Sequence, residues 1–428
     1  MSNKIIKRIY YAFNVKLLSP LTTSSGESEY TDSDLLRNSD GQVFVPGTTI
    51  AGALRARLTV DKQEKLTGYS KGEDSRMSSL YVSDLFFEGR KTSSVRDGIK
   101  LNEDKSVNNK FDMEVLETGA VGTIYINYII RENDTDMESV VRTLITDIQN
   151  GYIRFGANKN RGYGRMSVEL IYRQEFSKAS VDELLDFDPK AVNTYKEKYD
   201  YETWIQTSIE QSDDYVKIIV PLKLTGGISI RKYSVKPNEA DYEQLTLTMK
   251  DVNGNPIPIV PGTSWNGAIR SNVLTTLKAL GDPNAYEHVE KWFGYVDLKG
   301  KKAQQSIVIF GESLIEDSKS LTMTRNKINR FDASTIDTAL YTEKSYFEGK
   351  TSLEIMIKKD EGCNYEALIG LLQIAIKDIE NGYLAIGGQT AVGRGIFTRD
   401  DSQEVKYENA ISPKGYAEAL YRYAMEVK

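Results

Sequence analysis

The chain has 428 residues, 55 Lys+Arg against 61 Asp+Glu for a formal charge of -6, and a globular balance of 40% apolar and 27% charged residues. One histidine, His288, and one cysteine, Cys363, exclude an internal disulfide, a Cys/His zinc cluster built from one chain, and any mechanism with two histidines. The net acidity argues against blanket electrostatic attraction to nucleic acid. Met1–Pro20 lacks the apolar core of a signal peptide, being broken by Lys4, Lys7, Arg8, Asn14 and Lys16, and no apolar stretch is long enough to span a bilayer. The reading is a chain in the reducing cytoplasm with no membrane partner.

In chain order, the alternating stretch Ile9 to Leu18 predicts a strand. A polar loop leads to Phe44–Leu58, FVPGTTIAGALRARL, a Pro-Gly turn into a helix with Thr48 or Thr49 expected at the N-cap. A short apolar strand follows around Val82 to Phe87, then a polar excursion over about 89–118, then a strand from Thr123 to Ile130. A helix is predicted from about Asp136 to Gln149, with Met137, Val140, Val141, Leu144, Ile145 and Ile148 on one face. Thr135 and Glu138 have capping-box spacing, and Asn150-Gly151 forms a left-handed stop. A glycine loop and a final strand close this first unit, 1–175. An acidic connector with a helix spans 176–214; from Val181 to Lys217 it holds ten acids and four bases, 4 − 10 = -6, which leaves the rest of the chain formally neutral.

The remainder, 215–428, repeats the grammar: a strand from Tyr215 to Leu224, the box Ile259–Val273, strands at Ile307–Phe310 and Ser352–Ile357, a helix and a second glycine loop. IVPGTSWNGAIRSNV matches the first box at seven of fifteen positions with an offset of 261 − 46 = 215, and Ser264 takes the expected cap position. Asp147–Met166, DIQNGYIRFGANKNRGYGRM, and Asp378–Phe397, DIENGYLAIGGQTAVGRGIF, share eight of twenty at an offset of 378 − 147 = 231. Two boxes recurring in the same order establish a tandem duplication. Each copy reads β-α-β-β-α-β, the split ferredoxin-like pattern of an α+β fold, with both helices on one sheet face and the other face available to ligands or partners.

Exposed N–H groups at a helix start, with the hydroxyls of Thr48 and Thr49 or Thr263 and Ser264, suit a phosphate, and Arg55, Arg57 or Arg270 follow along the helix; an ordinary capped helix uses the same residues. In the first glycine loop, Gly156, Gly162 and Gly164 stand among Arg154, Lys159, Arg161 and Arg165 with no acid between, and recur as Gly387, Gly393 and Gly395. Such a strip suits a phosphate backbone, or is a solvated loop. In copy two, Lys319, Arg325, Lys327 and Arg330 cluster without an acid and precede Phe331, Tyr341, Tyr346 and Phe347, which reads as an RNA-touching hairpin or a surface loop. No Walker loop is present. His288, in Glu287-His288-Val289, reads as a structural or surface residue on a helix.

Taken together, RFGANKNRGYGR, AIGGQTAVGRG, VPGTTIAGALR, VPGTSWNGAIR and TRNKINR (Thr324 to Arg330) resemble the RAMP (repeat-associated mysterious proteins) superfamily of CRISPR systems, and within it the backbone subunits of type III effector complexes. The resemblance implies a subunit that lies along CRISPR RNA beside other RAMP subunits and a large subunit, pairs it with complementary target RNA, and interrupts that duplex with a thumb-like hairpin. RNA contacts then fall on Thr48, Thr49, Arg55, Gly156, Lys159, Arg161, Gly162 and Arg165 in copy one. In copy two they fall on Thr263, Ser264, Arg270, Arg325, Lys327, Arg330, Gly387, Gly388, Gln389 and Arg394. Catalytic members cut target RNA with a loop aspartate and a divalent metal, Mg or Mn, in a segment Asp-Ser-Pro-hydrophobic-hydrophobic-basic. Asp32-Ser33-Asp34-Leu35-Leu36-Arg37 fits it, which implies Asp32 as catalyst and metal ligand, with Asp34 in the proline's place as the alternative. In copy two the matching stretch begins at Leu245, with leucine at the key position, and Asp241 and Glu243 lie just upstream. One active and one silent unit are expected. A non-catalytic capping subunit is the alternative, and a stand-alone endonuclease of CRISPR precursor RNA, resting on His288, ranks third.

Overall fold

The computed structural model describes residues 4–24, 31–72, 74–88, 92–101, 107–207, 213–232, 244–250, 254–297, 302–336 and 340–426. Contacts divide the chain into Met1–Lys159 with Tyr163–Ser212, and Asn160–Gly162 with Asp213–Lys428.

The first unit is built on β1 (Ile5–Leu17), whose alternation buries Ile9, Tyr11, Phe13, Val15 and Leu17 on one face. After it come α1 (Gly47–Ala56), α2 (Val60–Thr67), β2 (Leu80–Val82), β3 (Leu85–Glu88), a hairpin of β4 (Ser93–Leu101) and β5 (Val107–Leu116), β6 (Val121–Arg131), α3 (Glu138–Gln149) and β7 (Met166–Ser177). The sheet runs β7–β1–β6 and then β2 and β3, which both pair with β6, all antiparallel. That is the ferredoxin-like order with its second strand split in two, where the sequence suggests one strand over 82–87. The buried face of α3, Val141, Leu144, Ile145 and Ile148, packs with Ile50 and Leu54 of α1 on the odd face of β1.

The capping box expected from Thr135 and Glu138 does not form. The N-cap is Met137, and Glu138 turns to the sheet, where it accepts hydrogen bonds from Arg173 at 2.8 Å and Tyr11 at 2.7 Å. Burial raises the pKa of this carboxyl, but the bonds from Arg173 and Tyr11 and the charges of Arg173 and Arg142 outweigh it and hold the pKa at about 2.

The acidic segment does not stand apart as a connector. Its helix α4 (Val181–Leu185), strand β8 (Glu197–Asp200) and helix α5 (Tyr201–Thr207) are grouped with the first unit. β8 extends the sheet beyond β7. Phe187 and Tyr195 join Tyr10, Tyr172 and Phe176 in an aromatic cluster with ring centroids 5.0–6.0 Å apart. Tyr10 and Tyr172 belong to the sheet face opposite the helices, so this face, expected to be open, is covered there. On the helical side Trp204 is fully buried, edge-on to Tyr11 at 6.0 Å and beneath the Arg142 guanidinium at 4.9 Å. These aromatics, together with the Glu197 carboxylate paired to Arg173 of β7 at 2.7 Å, hold the segment against the sheet edge.

The second unit repeats the plan with β9 (Tyr215–Thr225), α6 (Gly262–Leu280), α7 (Ala285–Phe293), β10 (Val308–Phe310), a hairpin of β11 (Lys319–Arg325) and β12 (Tyr341–Phe347), β13 (Lys350–Lys358), α8 (Tyr365–Glu380) and β14 (Ile396–Arg399). The order β14–β9–β13–β10 is again antiparallel and ferredoxin-like. A turn after β14 returns as β15 (Lys406–Glu408) on the same edge of β9, and α9 (Pro413–Glu426) packs on α8, where Gly370 lets Tyr416 and Leu420 approach closely. The two polar excursions are hairpins in both copies.

The duplication extends further than the two boxes. Each copy follows its first helix with a second helix closed by a glycine, a small hairpin and a serine that opens the next strand. Ser78 Oγ donates to Leu80 O at 2.7 Å and accepts from Leu80 N; Ser306 makes the same pair with Val308.

Candidate nucleic-acid interface

In the first unit three segments meet at the base of the β4–β5 hairpin. The loop after β1 bonds to β5, with Leu21 N to Leu116 O at 2.9 Å and the reverse at 2.8 Å. The glycine loop is pinned to that same stretch by Ala157 N to Thr22 O at 2.9 Å and Gly164 N to Pro20 O at 2.8 Å. Tyr163 of the loop packs with Met113 and Val115 of β5. The segment holding Asp32 then lies along β5. Asp32 Oδ2 accepts from Asp112 N at 2.9 Å, and Asp112 Oδ1 accepts from Asp32 N at 3.0 Å. Glu114 accepts from Leu35 N at 3.1 Å and pairs with Arg37 at 2.6 Å. Asp32 is exposed and Asp34 half-buried, with Thr31 donating to Asp34. Asp112 and Glu114 escape a sequence reading, because nothing in the hairpin's spacing ties them to a loop some 80 residues away.

Asp32 and Asp112 offer carboxylate oxygens at an exposed edge. Among the described residues no group of three or more His, Cys, Asp or Glu is placed to hold a metal. An oxygen-only set of one or two carboxylates fits magnesium, which keeps several waters and takes substrate phosphate oxygens, rather than a cation caged by protein alone.

The Pro-Gly turns differ from expectation. The N-caps are Pro46 and Pro261, so Thr48, Thr49, Thr263 and Ser264 lie in the first turn, not at the cap. The glycine N-terminal to them abuts backbone: a Cβ on Gly47 would meet Val82 O at 2.5 Å, and one on Gly262 would meet Phe310 O at 2.3 Å. The Gly47 N–H is taken by the Asp84 carboxylate at 2.6 Å, an anion already at this helix start. Thr48 and Thr263 remain exposed.

Arg55 donates to Thr67 and, at 2.7 Å, to Gly68 O; Arg270 donates to Gly294 O at 3.3 Å. The arginine shared by both boxes therefore ties the first helix to the glycine that ends the second. Burial pushes the Arg270 guanidinium down from its ordinary range. The shared aspartate that opens each glycine box is also internal: Asp147 pairs with Arg57 at 2.6 Å, and Asp378 accepts from Asn272 at 2.8 Å.

Within the glycine loops, Gly156 and Gly387 carry φ of +79° and +92°, and Gly388 N bonds Ser229 O at 2.7 Å. Burial lowers the Lys159 amine from its ordinary value. Arg161 is exposed, Arg165 half-buried, and Gly162 buried.

In the second unit the structure gathers predicted residues around a carboxylate that sequence reasoning missed. Glu343, on β12, is 1% exposed. It accepts from Arg394 at 2.8 Å, pairs with Arg325 at 3.2 Å and accepts from Gln389 at 3.3 Å; Gln389 also donates to Gln244 at 2.8 Å. The Arg394 guanidinium lies 4.7 Å from the Phe347 ring centroid. Lys327 and Arg330 are exposed beyond this cluster, in a turn closed by the Ile328–Thr335 bridge, and Phe331 at its tip is 99% exposed.

Backbone hydrogen bonds correct the expected register between copies. Leu36 N bonds Thr23 O at 2.7 Å and Phe44 N bonds Leu36 O at 3.4 Å; Leu247 repeats both, with Ile230 O at 2.7 Å and from Ile259 N at 3.2 Å. The offset is 247 − 36 = 211, which sets the described Leu245 against Asp34. Positions 241 and 243 lie outside the described residues. The sequence match slipped by two because it aligned Lys250 with Arg37, whereas the ladder is set by backbone partners.

His288 lies apart from these boxes. Its Nδ1 is 2.7 Å from Asp282 Oδ2, Tyr423 donates to the same oxygen at 2.6 Å, and Trp292 stacks on the ring at 6.0 Å, which joins α7 to α9.

The chain is built of two tandem ferredoxin-like units, each with a glycine loop clamped beside a hairpin base. The sequence profile of the RAMP superfamily matches residues 14–167 and 243–398, well over half the chain, once in each unit. The chain belongs to the RAMP superfamily, CRISPR-associated RNA-binding proteins. No curated protein matches it. Among the described residues no helix is long and apolar enough to cross a membrane.

Proposed function

We propose that the chain is a two-unit backbone subunit of a type III CRISPR effector that holds CRISPR RNA and cuts complementary target RNA at the first unit. The observation that carries this is the reciprocal pair between Asp32 and Asp112, which fixes an exposed carboxylate at the hairpin base beside the glycine loop. RNA brings its own nucleophile, the 2′-hydroxyl. Asp32 needs only to align it with the phosphate and help move its proton. Asp32 would hold a divalent cation, whose chemistry there would be charge neutralisation at the phosphate. The exposed Phe331, Lys327 and Arg330 suit the second hairpin to a duplex-interrupting thumb.

The test is target cleavage by the assembled complex with Asp32→Ala and Asp32→Asn. Both should lose one cut site while guide RNA and complex assembly are retained. Asn keeps an acceptor for the Asp112 N–H, so loss in Asn as well as Ala separates chemistry from loop anchoring. Unchanged cutting in both refutes the assignment.

One observation favours a non-catalytic, structural subunit instead: Asp32 is itself a structural tie between loop and hairpin. Metal-dependent cutting opposite the first unit would exclude that reading. A histidine nuclease is disfavoured by the Asp282 and Tyr423 partners that build His288 into a helix contact.

A further inference from the structure

The two copies build the junction between hairpin and glycine loop from opposite chemistry. Leu21 pairs with Leu116 in the first unit as Ile228 pairs with Tyr346 in the second, so the hairpin strands align at 346 − 116 = 230 and Met113 falls on Glu343. At the same offset, Gly98 opposite Phe111 becomes Arg325 opposite Tyr341. At the loop offset of 231, Asn158 falls on Gln389 and Tyr163 on Arg394. In the first unit these positions make a largely apolar contact: Tyr163 packs on Met113, and Asn158 Nδ2 lies 3.4 Å from the Met113 sulfur. In the second unit all four have changed together, into a glutamate, a glutamine and two arginines.

Holding the loop does not require this exchange, since the first copy holds its loop without charge. Burying a carboxylate with a guanidinium also carries a desolvation cost that an apolar contact avoids. What the ionic set adds is a cation fixed at the surface. Glu343 Oε1 accepts from Arg394 at 2.8 Å and pairs with Arg325 at 3.2 Å, while Oε2 accepts from Gln389 at 3.3 Å. Arg394 is internal, its side chain 7% exposed and its guanidinium over the Phe347 ring. Arg325 differs. Its side chain is 32% exposed, at the end of β11 from which the chain runs on to the exposed Lys327 and Arg330.

Two guanidiniums against one carboxylate leave 2 − 1 = +1 at the junction, and of the two arginines Arg325 presents that charge to solvent. An arginine on an exposed hairpin ordinarily loses side-chain freedom when it binds a ligand, and one already held from behind loses less. We propose that Glu343 is a positioning residue for RNA in the second unit: it braces the Arg325 guanidinium at the hairpin base so that its exposed side takes one phosphate of the bound strand. Gln389 and Arg394 act behind it, tying the glycine loop to the same carboxylate rather than touching RNA. The first unit, with glycine, methionine, asparagine and tyrosine at these positions, has no such grip. The proposal rests on the RNA-binding reading and adds to it the group that aims the cation.

The test is binding of a labelled oligouridylate to the full chain, read by fluorescence anisotropy across a salt series. Arg325→Ala should weaken binding about tenfold, the loss of one charge-assisted bond, and reduce the slope of log affinity against log salt by about 0.7, one phosphate on a single strand. Glu343→Gln decides the role. As a charge alone, an acid beside bound RNA repels it, so its removal would tighten binding; a positioning residue gives the opposite sign, a loss close to that of Arg325→Ala with the same fall in slope. The double variant Glu343→Gln/Arg325→Ala should lose no more than Arg325→Ala, because both act through one guanidinium. The exchange Glu343→Met/Gln389→Asn/Arg394→Tyr, which installs the first copy's contact, should keep the wild-type melting curve and still bind RNA as weakly as Arg325→Ala. It separates aim from stability, and it serves where Glu343→Gln does not fold. Tighter or unchanged binding by Glu343→Gln, additive losses in the double variant, or wild-type affinity in the exchange variant overturns the proposal alone. No binding by the wild-type chain overturns the RNA-binding reading and the proposal with it.

Discussion

Replacing Gly395 by alanine tests the glycine loop at its tightest point. Gly395 has φ of +71°, and a Cβ there would lie 1.9 Å from Ile386 O. Two hydrogen bonds hold the same residue, Gly395 N to Gly227 O and Ile386 N to Gly395 O, each 2.8 Å. Neither partner can retreat without breaking them. The left-handed conformation costs an alanine about 1 kcal/mol, and two backbone bonds contribute about 1 kcal/mol each, so the expected loss is about 3 kcal/mol. Gly393 supplies the control. Its φ is +80°, but nothing lies within 4 Å of its Cβ position, so Gly393→Ala should cost only the conformational share of about 1 kcal/mol. Urea unfolding followed by tryptophan fluorescence reads the difference, because Trp265 and Trp292 are buried in the same unit. Equal destabilisation by the two substitutions would refute the close-approach argument and leave φ alone as the reason for glycine. The equivalent residue of the first copy, Gly164, would place its Cβ 1.8 Å from Phe155 O and should behave alike.

Glu138, held at about 2 against an ordinary 4.5, stabilises the folded first unit above about pH 4.5 and loses that contribution as pH falls toward 2. This amounts to roughly 3 kcal/mol, and the acid limb of the unfolding curve should shift accordingly in Glu138→Gln. Trp204→Ala should cost about 3–5 kcal/mol and raise protease cleavage in the segment that wraps the first sheet, since this fully buried ring anchors it. Arg55→Ala should cost about 1 kcal/mol of stability through the lost bond to Gly68 O and leave guide RNA retention unchanged, as measured by filter binding. Phe331→Ala should leave the melting curve unmoved, because the ring is 99% exposed, and should alter the cleavage or protection pattern of target RNA.

The duplication, the ferredoxin-like strand order and the positions of both polar excursions were legible in sequence, because strand alternation, helix stop signals and repeated glycines are local properties. Ile9 to Leu17 alternates whatever surrounds it, and Asn150-Gly151 ends a helix by backbone conformation alone. The roles of the shared polar residues were not legible. Arg55, Arg270 and Asp147 recur in a basic, RNA-like context, yet each is held within its own unit by a partner brought near only by folding. The acidic segment read as a connector with a helix, whereas Phe187, Tyr195 and Trp204 pack it on the first unit.

By itself, then, the sequence determined what repeats and which elements form, since those follow from period and backbone preference. Only the tertiary structure decided which carboxylates meet which loops. Asp112 reaches Asp32, and Glu343 gathers Arg325, Arg394 and Gln389, because hydrogen-bond satisfaction depends on distances that chain separation does not encode.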